Sequence, residues 1–215
     1  MSLLDTFKPK TITDIIGNKK SVDRVLECIK TERTCLLFGS AGIGKTSTPH
    51  AIANDLGMKV LELNASDQRR KEDMEKFMRQ LSSPTFFPTI FVMDEIDGAG
   101  FSVKSKDADT SESSDTETKG AKSYKFVEDC IRQAANPLVL ICNDFYELPD
   151  SLTRLCEQIR FYDLSTREVS DIIQRISKQT GLSADFSRIS HDARSSINNA
   201  FFGGEKYTVT NNFDI

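Results

Sequence analysis

Apolar residues recur along this chain in two alternating rhythms. From about Ser21 to Lys30, Val22, Val25, Leu26 and Ile29 fall on one helical face, the three-and-four spacing of an amphipathic helix. Thr34–Phe38 is a short continuous apolar run, predicted as a strand, and a glycine-rich loop then leads to a helix through Ala51, Ile52 and Leu56. The plan repeats with a strand at Lys59–Leu63 and a helix at Lys71–Leu81, which sets Met74, Phe77, Met78 and Leu81 on one side. A strand at Thr89–Met93, a helix at Tyr124–Ala135 and strands at Leu138–Cys142 and Ile159–Tyr162 complete the set. Continuously apolar strands that alternate with helices predict an α/β fold, with a five-stranded parallel sheet flanked by helices on both faces.

From Leu164 onward the pattern is purely helical. Ser165-Thr-Arg-Glu168 reads as a capping box in front of Val169, Ile172, Ile173 and Ile176, with Gly181 as the stop. A second helical stretch runs from about His191 to Phe202. The expected organisation is a sheet domain over 1–163, a small all-helical lid over 164–203 and a frayed tail over 204–215. Residues 101–123 are rich in Ser, Thr, Asp, Glu and Lys, a composition that cannot bury enough surface to order itself, and they are predicted to be a mobile insertion. Pro49 falls inside the helix after the glycine loop, where a bend is expected.

Composition narrows this picture only slightly. Of 215 residues, 38% are hydrophobic, enough for a lean core, and the net charge is −4. A protein that holds nucleic acid by its bulk charge would be basic, so any contact with DNA needs a local patch. The five cysteines (Cys28, Cys35, Cys130, Cys142 and Cys156) show no paired spacing and read as reduced core residues. His50 and His191 are too isolated to suggest a metal site. With no apolar run of membrane-spanning length and no leader pattern, a cytoplasmic (or, in a eukaryote, nuclear) location without membrane association is expected.

Gly39-Ser40-Ala41-Gly42-Ile43-Gly44-Lys45-Thr46 fits the pattern G-x-x-x-x-G-K-[ST] and sits where that pattern needs to be, between a strand and a helix. Backbone N–H groups of such a loop, running on into the helix start at Ser47, converge on an anion and cradle phosphates. Lys45 is expected to reach the β- and γ-phosphates of a nucleoside triphosphate and the Thr46 hydroxyl to ligate Mg²⁺. The fold expected is therefore that of a P-loop NTPase. Thr89-Ile-Phe-Val-Met-Asp94-Glu95 ends an apolar strand in two acids, of which Asp94 is assigned to the metal and Glu95 to the general base for an attacking water. Asn143 closes the next strand. It reads either as a sensor of the γ-phosphate or as a turn-initiating residue before Asp144.

These stretches together resemble the AAA+ ATPases. Glu62-Leu-Asn-Ala-Ser-Asp67, Met93-Asp-Glu-Ile-Asp-Gly98 and Ile141-Cys-Asn-Asp144 are similar to replication factor C, the clamp loader of archaea and eukaryotes, and closer to its large subunit than to its small ones. The resemblance covers roughly residues 5 to 200 and implies an ATPase of DNA replication, shortened to ATPase core plus lid, without a stretch matching the family's helical collar. It places Ile15, Ile16 and Gly17 in the adenine pocket and Arg194, within Asp192-Ala-Arg-Ser-Ser-Ile-Asn198, as a lid arginine that reaches the γ-phosphate. It implies a hetero-oligomer with clamp-loader small subunits, the sliding clamp and primer-template DNA. Where small subunits carry an arginine for the neighbour's ATP, this chain has Leu155, with Arg154 one residue off. Lys71-x-x-Met74-x-x-Phe77-Met78 is a degenerate form of the clamp-binding pattern, but the preferred reading is a helix packing its Met/Phe stripe on the sheet. Arg69, Arg70 and Lys71 form a small basic patch that reads equally as a contact to DNA phosphates or as a merely solvated helix start. A non-hydrolysing ATP-binding module that occupies clamp or loader surfaces is the alternative the resemblance leaves.

Overall fold

Five parallel strands in the order β2-β3-β4-β1-β5 form the centre of the molecule: β1 (Cys35–Phe38), β2 (Lys59–Asn64), β3 (Thr89–Asp94), β4 (Leu138–Cys142) and β5 (Glu157–Arg160). The computed structural model describes residues 7–64, 71–97, 124–187 and 189–202. The insertion expected over 101–123, the tail over 204–215, and Arg69 and Arg70 lie outside the described residues. Helix α1 (Lys19–Lys30) precedes β1, α2 (Ser47–Leu56) follows the glycine loop, α3 (Lys71–Leu81) lies between β2 and β3, and α4 (Lys125–Gln133) precedes β4. A short α5 (Asp150–Thr153) leads into β5, and α6 (Thr166–Thr180) and α7 (Ala193–Phe202) follow the sheet.

Strand alternation divides the core in two, because successive side chains point to opposite faces. Cys35, Leu37, Ile90, Val92, Val139 and Ile141 meet α1 and α2 through Val22, Val25, Ile29 and Ile52. Leu36, Phe91, Met93, Leu138, Leu140 and Cys142 meet α3 and α4 through Met74, Phe77, Leu81 and Val127. The Phe77 ring stands edge-on to Phe91 at 5.3 Å and 85°. Each such side chain contributes roughly 1.5–3 kcal/mol by leaving water. The four cysteines at 28, 35, 130 and 142 are buried in these layers and none is disulfide-bonded. Burial pushes the Cys130, Cys142 and Cys156 thiols up to about 12.

Three details differ from the hydrophobic pattern. β5 begins at Glu157, paired with Cys35, and ends at Arg160 rather than running over Ile159–Tyr162. It is an edge strand in which Ile159 alone is buried, so the apolar signal came mostly from Phe161, which enters the core just past the strand. Pro49 is the third residue of α2, a helix that continues unbroken to Leu56. In a first turn the proline's missing N–H would have had no partner, so the bend expected there is not needed. The four-residue α5 is too short to show a period in the sequence.

The N-terminal stretch and the last two helices are laced onto one face. Ile12 N donates to Asp55 Oδ2 at 2.8 Å and Asn54 Nδ2 to Lys10 O at 3.0 Å. Arg175 of α6 pairs with Asp14, and that guanidinium holds the Asp14 carboxyl down at about 2. Asn18 bonds the main chain of Tyr162 in both senses, donating to its oxygen at 2.9 Å and accepting from its nitrogen at 2.8 Å. The capping box of α6 is present: Ser165 Oγ accepts from Glu168 N at 3.3 Å while Glu168 Oε2 accepts from Ser165 N at 2.8 Å. Gly181 ends that helix in the left-handed region, with φ +72°. Val169, Ile173, Ile176, Ile197 and Ala200 join the same buried cluster as α1 and α2, so this core continues without a break into α6 and α7.

Candidate functional site

Because the strands are parallel, β1, β3 and β4 all end on one rim, and the residues that follow them are brought together. The loop Gly39–Thr46 leaves β1 there, Asp94 is the last residue of β3, and Asn143 comes directly after β4. Lys45 is buried (5% exposed). Its Nζ donates to Gly39 O and Ser40 O, both at 2.6 Å, and to Asn143 Oδ1 at 2.9 Å. Thr46 Oγ1 donates to Asp94 Oδ2 at 2.7 Å, while Asp94 Oδ1 accepts from Glu95 N at 2.8 Å. Four residues from three separate stretches of sequence therefore meet as two directly hydrogen-bonded pairs.

The electrostatics follow from burial. Desolvation pulls the Lys45 ammonium below its ordinary value, against the opposing carboxylates of Asp94 and Asp97, and the Arg194 charge acts in the same direction as burial. Arg194, exposed near the start of α7, is thus within electrostatic reach of the loop. Desolvation raises the Asp94 carboxyl above its ordinary value, and the Thr46 and Glu95 hydrogen bonds work against it. A buried carboxylate beside a hydroxyl is a donor set suited to a hard divalent cation such as Mg²⁺, which prefers oxygen ligands. Glu95 is half-buried and sits at φ +56°, a left-handed conformation that is uncommon outside glycine and recurs at active sites. Ser40 and Ala41 are exposed, Gly44 and Ser47 are half-buried and Ile43 is buried.

The loop also touches the helices beyond the sheet. Ala193 N donates to Gly42 O at 3.2 Å. A Cβ at Gly42, where φ is +74°, would lie 1.7 Å from Asp192 Oδ1, so only glycine admits this close approach. Asp192 in turn caps the start of α7, accepting from Ser195 N at 3.2 Å and Ser195 Oγ at 2.8 Å. Gly17 is held in the same way. A Cβ there would meet Leu164 Cδ2 at 2.5 Å. Ile15 packs on the first core cluster and Ile16 is half-buried, and of the three expected adenine-pocket residues Gly17 lies against the start of α6.

Sequence reasoning missed two features. Asp97 is buried (7% exposed) and its Oδ2 accepts from Asn143 N at 2.8 Å and Asp144 N at 2.7 Å; the signal available was an acid three residues past Asp94. The Met74 and Phe77 stripe of α3 is packed beneath the sheet, whereas the aromatic residues exposed beyond that helix are Phe86 (93%) and Phe87 (53%). Their rings stand edge-on at 4.9 Å, with Lys59 Nζ 4.1 Å from the Phe87 centroid. Leu155 is half-buried, and the exposed Arg154 pairs with Asp150 at 3.2 Å. Lys71 opens α3, and its side chain lies outside the described set. Among the described residues no group of three His, Cys, Asp or Glu could hold a metal by itself, and no helix is long and apolar enough to cross a membrane.

The model of the ATPase family associated with various cellular activities (AAA) matches residues 35–164. The chain is 31% identical over 188 residues to the replication factor C large subunit of Natronomonas pharaonis, covering 84% of this chain and 36% of that protein. It is 30% identical to the same subunit of Archaeoglobus fulgidus, covering 86% of this chain and 39% of that protein. The chain thus spans a little over a third of the length of these relatives. Among solved structures, the RuvB Holliday junction branch migration motor of Thermotoga maritima superimposes with a TM-score of 0.63 at 16% identity, covering 89% of this chain and 63% of that one. A likeness at that identity establishes the fold.

Proposed function

This chain belongs to the AAA family of ATPases, and from that premise we propose that it binds and hydrolyses ATP as a large-subunit-like component of a clamp loader in DNA replication. The observation that carries the reading is the meeting of Lys45 with Asn143 and of Thr46 with Asp94 at one sheet rim, at 2.9 and 2.7 Å. In this reading residues 39–47 cradle the phosphates and Lys45 neutralises the β- and γ-oxygens. Glu95 accepts the proton of the attacking water and Asn143 fixes the terminal phosphate. Ile15, Ile16 and Gly17 line the base. Thr46 and Asp94 would hold Mg²⁺, which supplies charge neutralisation on the phosphates. Arg194 brings the helical region, 164–203, to bear on the sheet domain, 1–163, when ATP is bound.

The partners in this reading are clamp-loader small subunits, primer-template DNA and the sliding clamp, in a cytoplasmic or nuclear setting. Leu155 at the finger position supports a subunit that receives an arginine from its neighbour rather than giving one. With Met74 and Phe77 buried, the exposed pair Phe86 and Phe87 becomes the plug for an apolar groove on the clamp. The test is calorimetric titration of the chain with Mg²⁺–ATP, alone and after Lys45→Ala, followed by turnover assays with small subunits, clamp and primed DNA. Lys45→Ala should weaken ATP by roughly a hundredfold, since it strips a charged partner from a buried anion site. Wild-type and variant chains that bind ATP equally, or not at all, sink the proposal.

A further inference from the structure

We propose that Asp97 is a positioning residue that sets the pose of Asn143 and thereby the chain's discrimination between a nucleoside triphosphate and a diphosphate. The inference rests on the reading of Asn143 as the contact to the terminal phosphate. Asn143 is itself exposed, so packing does not fix its direction. What fixes it is the main chain beneath it. Asp97 Oδ2 takes the N–H groups of both Asn143 and Asp144, at 2.8 and 2.7 Å, in the turn that leaves β4. Ile96 N donates to Ile141 O at 3.1 Å, which holds the segment carrying Asp97 alongside β4. Bonds from N–H to a carboxylate are stronger than neutral ones, the more so when the carboxylate is buried, as Asp97 is. From that fixed backbone the Asn143 side chain reaches Lys45 Nζ at 2.9 Å. The segment after β3, which carries Glu95 and Asp97, is thereby tied to the segment after β4 through one carboxylate.

A role confined to stability would weaken every ligand alike, and a positioning role would not. Wild-type chain, Asp97→Asn, Asn143→Ala and the double variant are each titrated with Mg²⁺–ATP and Mg²⁺–ADP by calorimetry. Asp97→Asn keeps the side chain's shape and removes its charge. Its affinity for ATP should fall roughly tenfold, the weight of a charged hydrogen bond, with ADP affinity held within about twofold. Added to Asn143→Ala, it should lower ATP affinity no further, because the side chain it positions is already gone. Equal losses for ATP and ADP overturn the proposal, as do additive losses in the double variant or a wild type that binds both nucleotides alike. A wild type that binds neither nucleotide removes the functional reading as well, whereas additive losses in a chain that binds ATP remove this inference only. Should Asp97→Asn fail to fold, Asp97→Glu, which keeps the charge and displaces it by one methylene, is scored on the same two affinities.

Discussion

The two faces of the sheet are packed with the same kinds of residue and close in different ways. On one, α3 and α4 seal Phe91, Met93 and Leu140 beneath Phe77, Leu81 and Val127, and the cluster ends within the sheet region. On the other, the cluster under α1 and α2 runs on through Phe161 and Leu164 into Val169, Ile173 and Ile197 of the last two helices. That second face also carries the Gly17 and Gly42 contacts with the residues flanking those helices. In the proposed reading, stability and ligand binding are therefore separable on the first face and shared on the second. A molecule arranged this way can alter the seating of α6 and α7 while the opposite side stays sealed.

The sharpest way to break the comparison is a pair of core truncations. Phe77→Ala on the sealed face should cost about 3–5 kcal/mol by denaturant unfolding and leave the nucleotide affinity of the folded fraction unchanged. Ile173→Ala on the shared face should cost about 2–5 kcal/mol and also weaken nucleotide binding measured by calorimetry. Equal affinities in the two variants would abolish the distinction. A smaller effect is expected from Gly42→Ala, which sets a methyl group against Asp192 in a left-handed backbone. Its cost of about 1–3 kcal/mol should fall on the α7 side, so hydrogen exchange should quicken in α7 and stay unchanged in α3.

The mildest test uses pH. Asp14 is held at about 2, below its ordinary 3.8, by Arg175. A depressed carboxyl contributes stability that is present above pH 3.8 and fades as the pH falls towards about 2. The Arg175 side chain is 40% exposed, so solvent screening discounts the pair. Arg175→Met should cost only about 0.5–1 kcal/mol at pH 7. The gap in melting temperature between wild type and variant should close between pH 4 and pH 2, a window set by the same Asp14 shift. A gap that widens on acidification would contradict the assignment.

What the sequence made legible divides along the same physical lines. Lys71–Leu81 and Leu138–Cys142 have the bounds expected from periodicity, because a long amphipathic stripe and a strand buried on both faces each leave a continuous signal. The phosphate loop was legible because its chemistry is local, with glycines, lysine and threonine adjacent in the chain. Asp97 was not, since its work is to accept two N–H groups more than forty residues away, at separations of 46 and 47, and no local spacing encodes that. The Gly42–Asp192 contact was hidden for the same reason. Phe86 and Phe87 were overlooked because an exposed aromatic pair between two prolines has no period, while the stripe at Met74 and Phe77 had one and packs on the sheet as its period implied.

The outer strands of the sheet carry one further consequence. β2 presents Lys59 and Glu62, and β5 is only four residues long with Glu157 and Arg160 along it. Short, charged borders of this kind make lateral growth by strand addition costly. Any neighbouring chain is thereby steered to meet this one through its loops and helices, and kept from extending its sheet into a continuous ribbon.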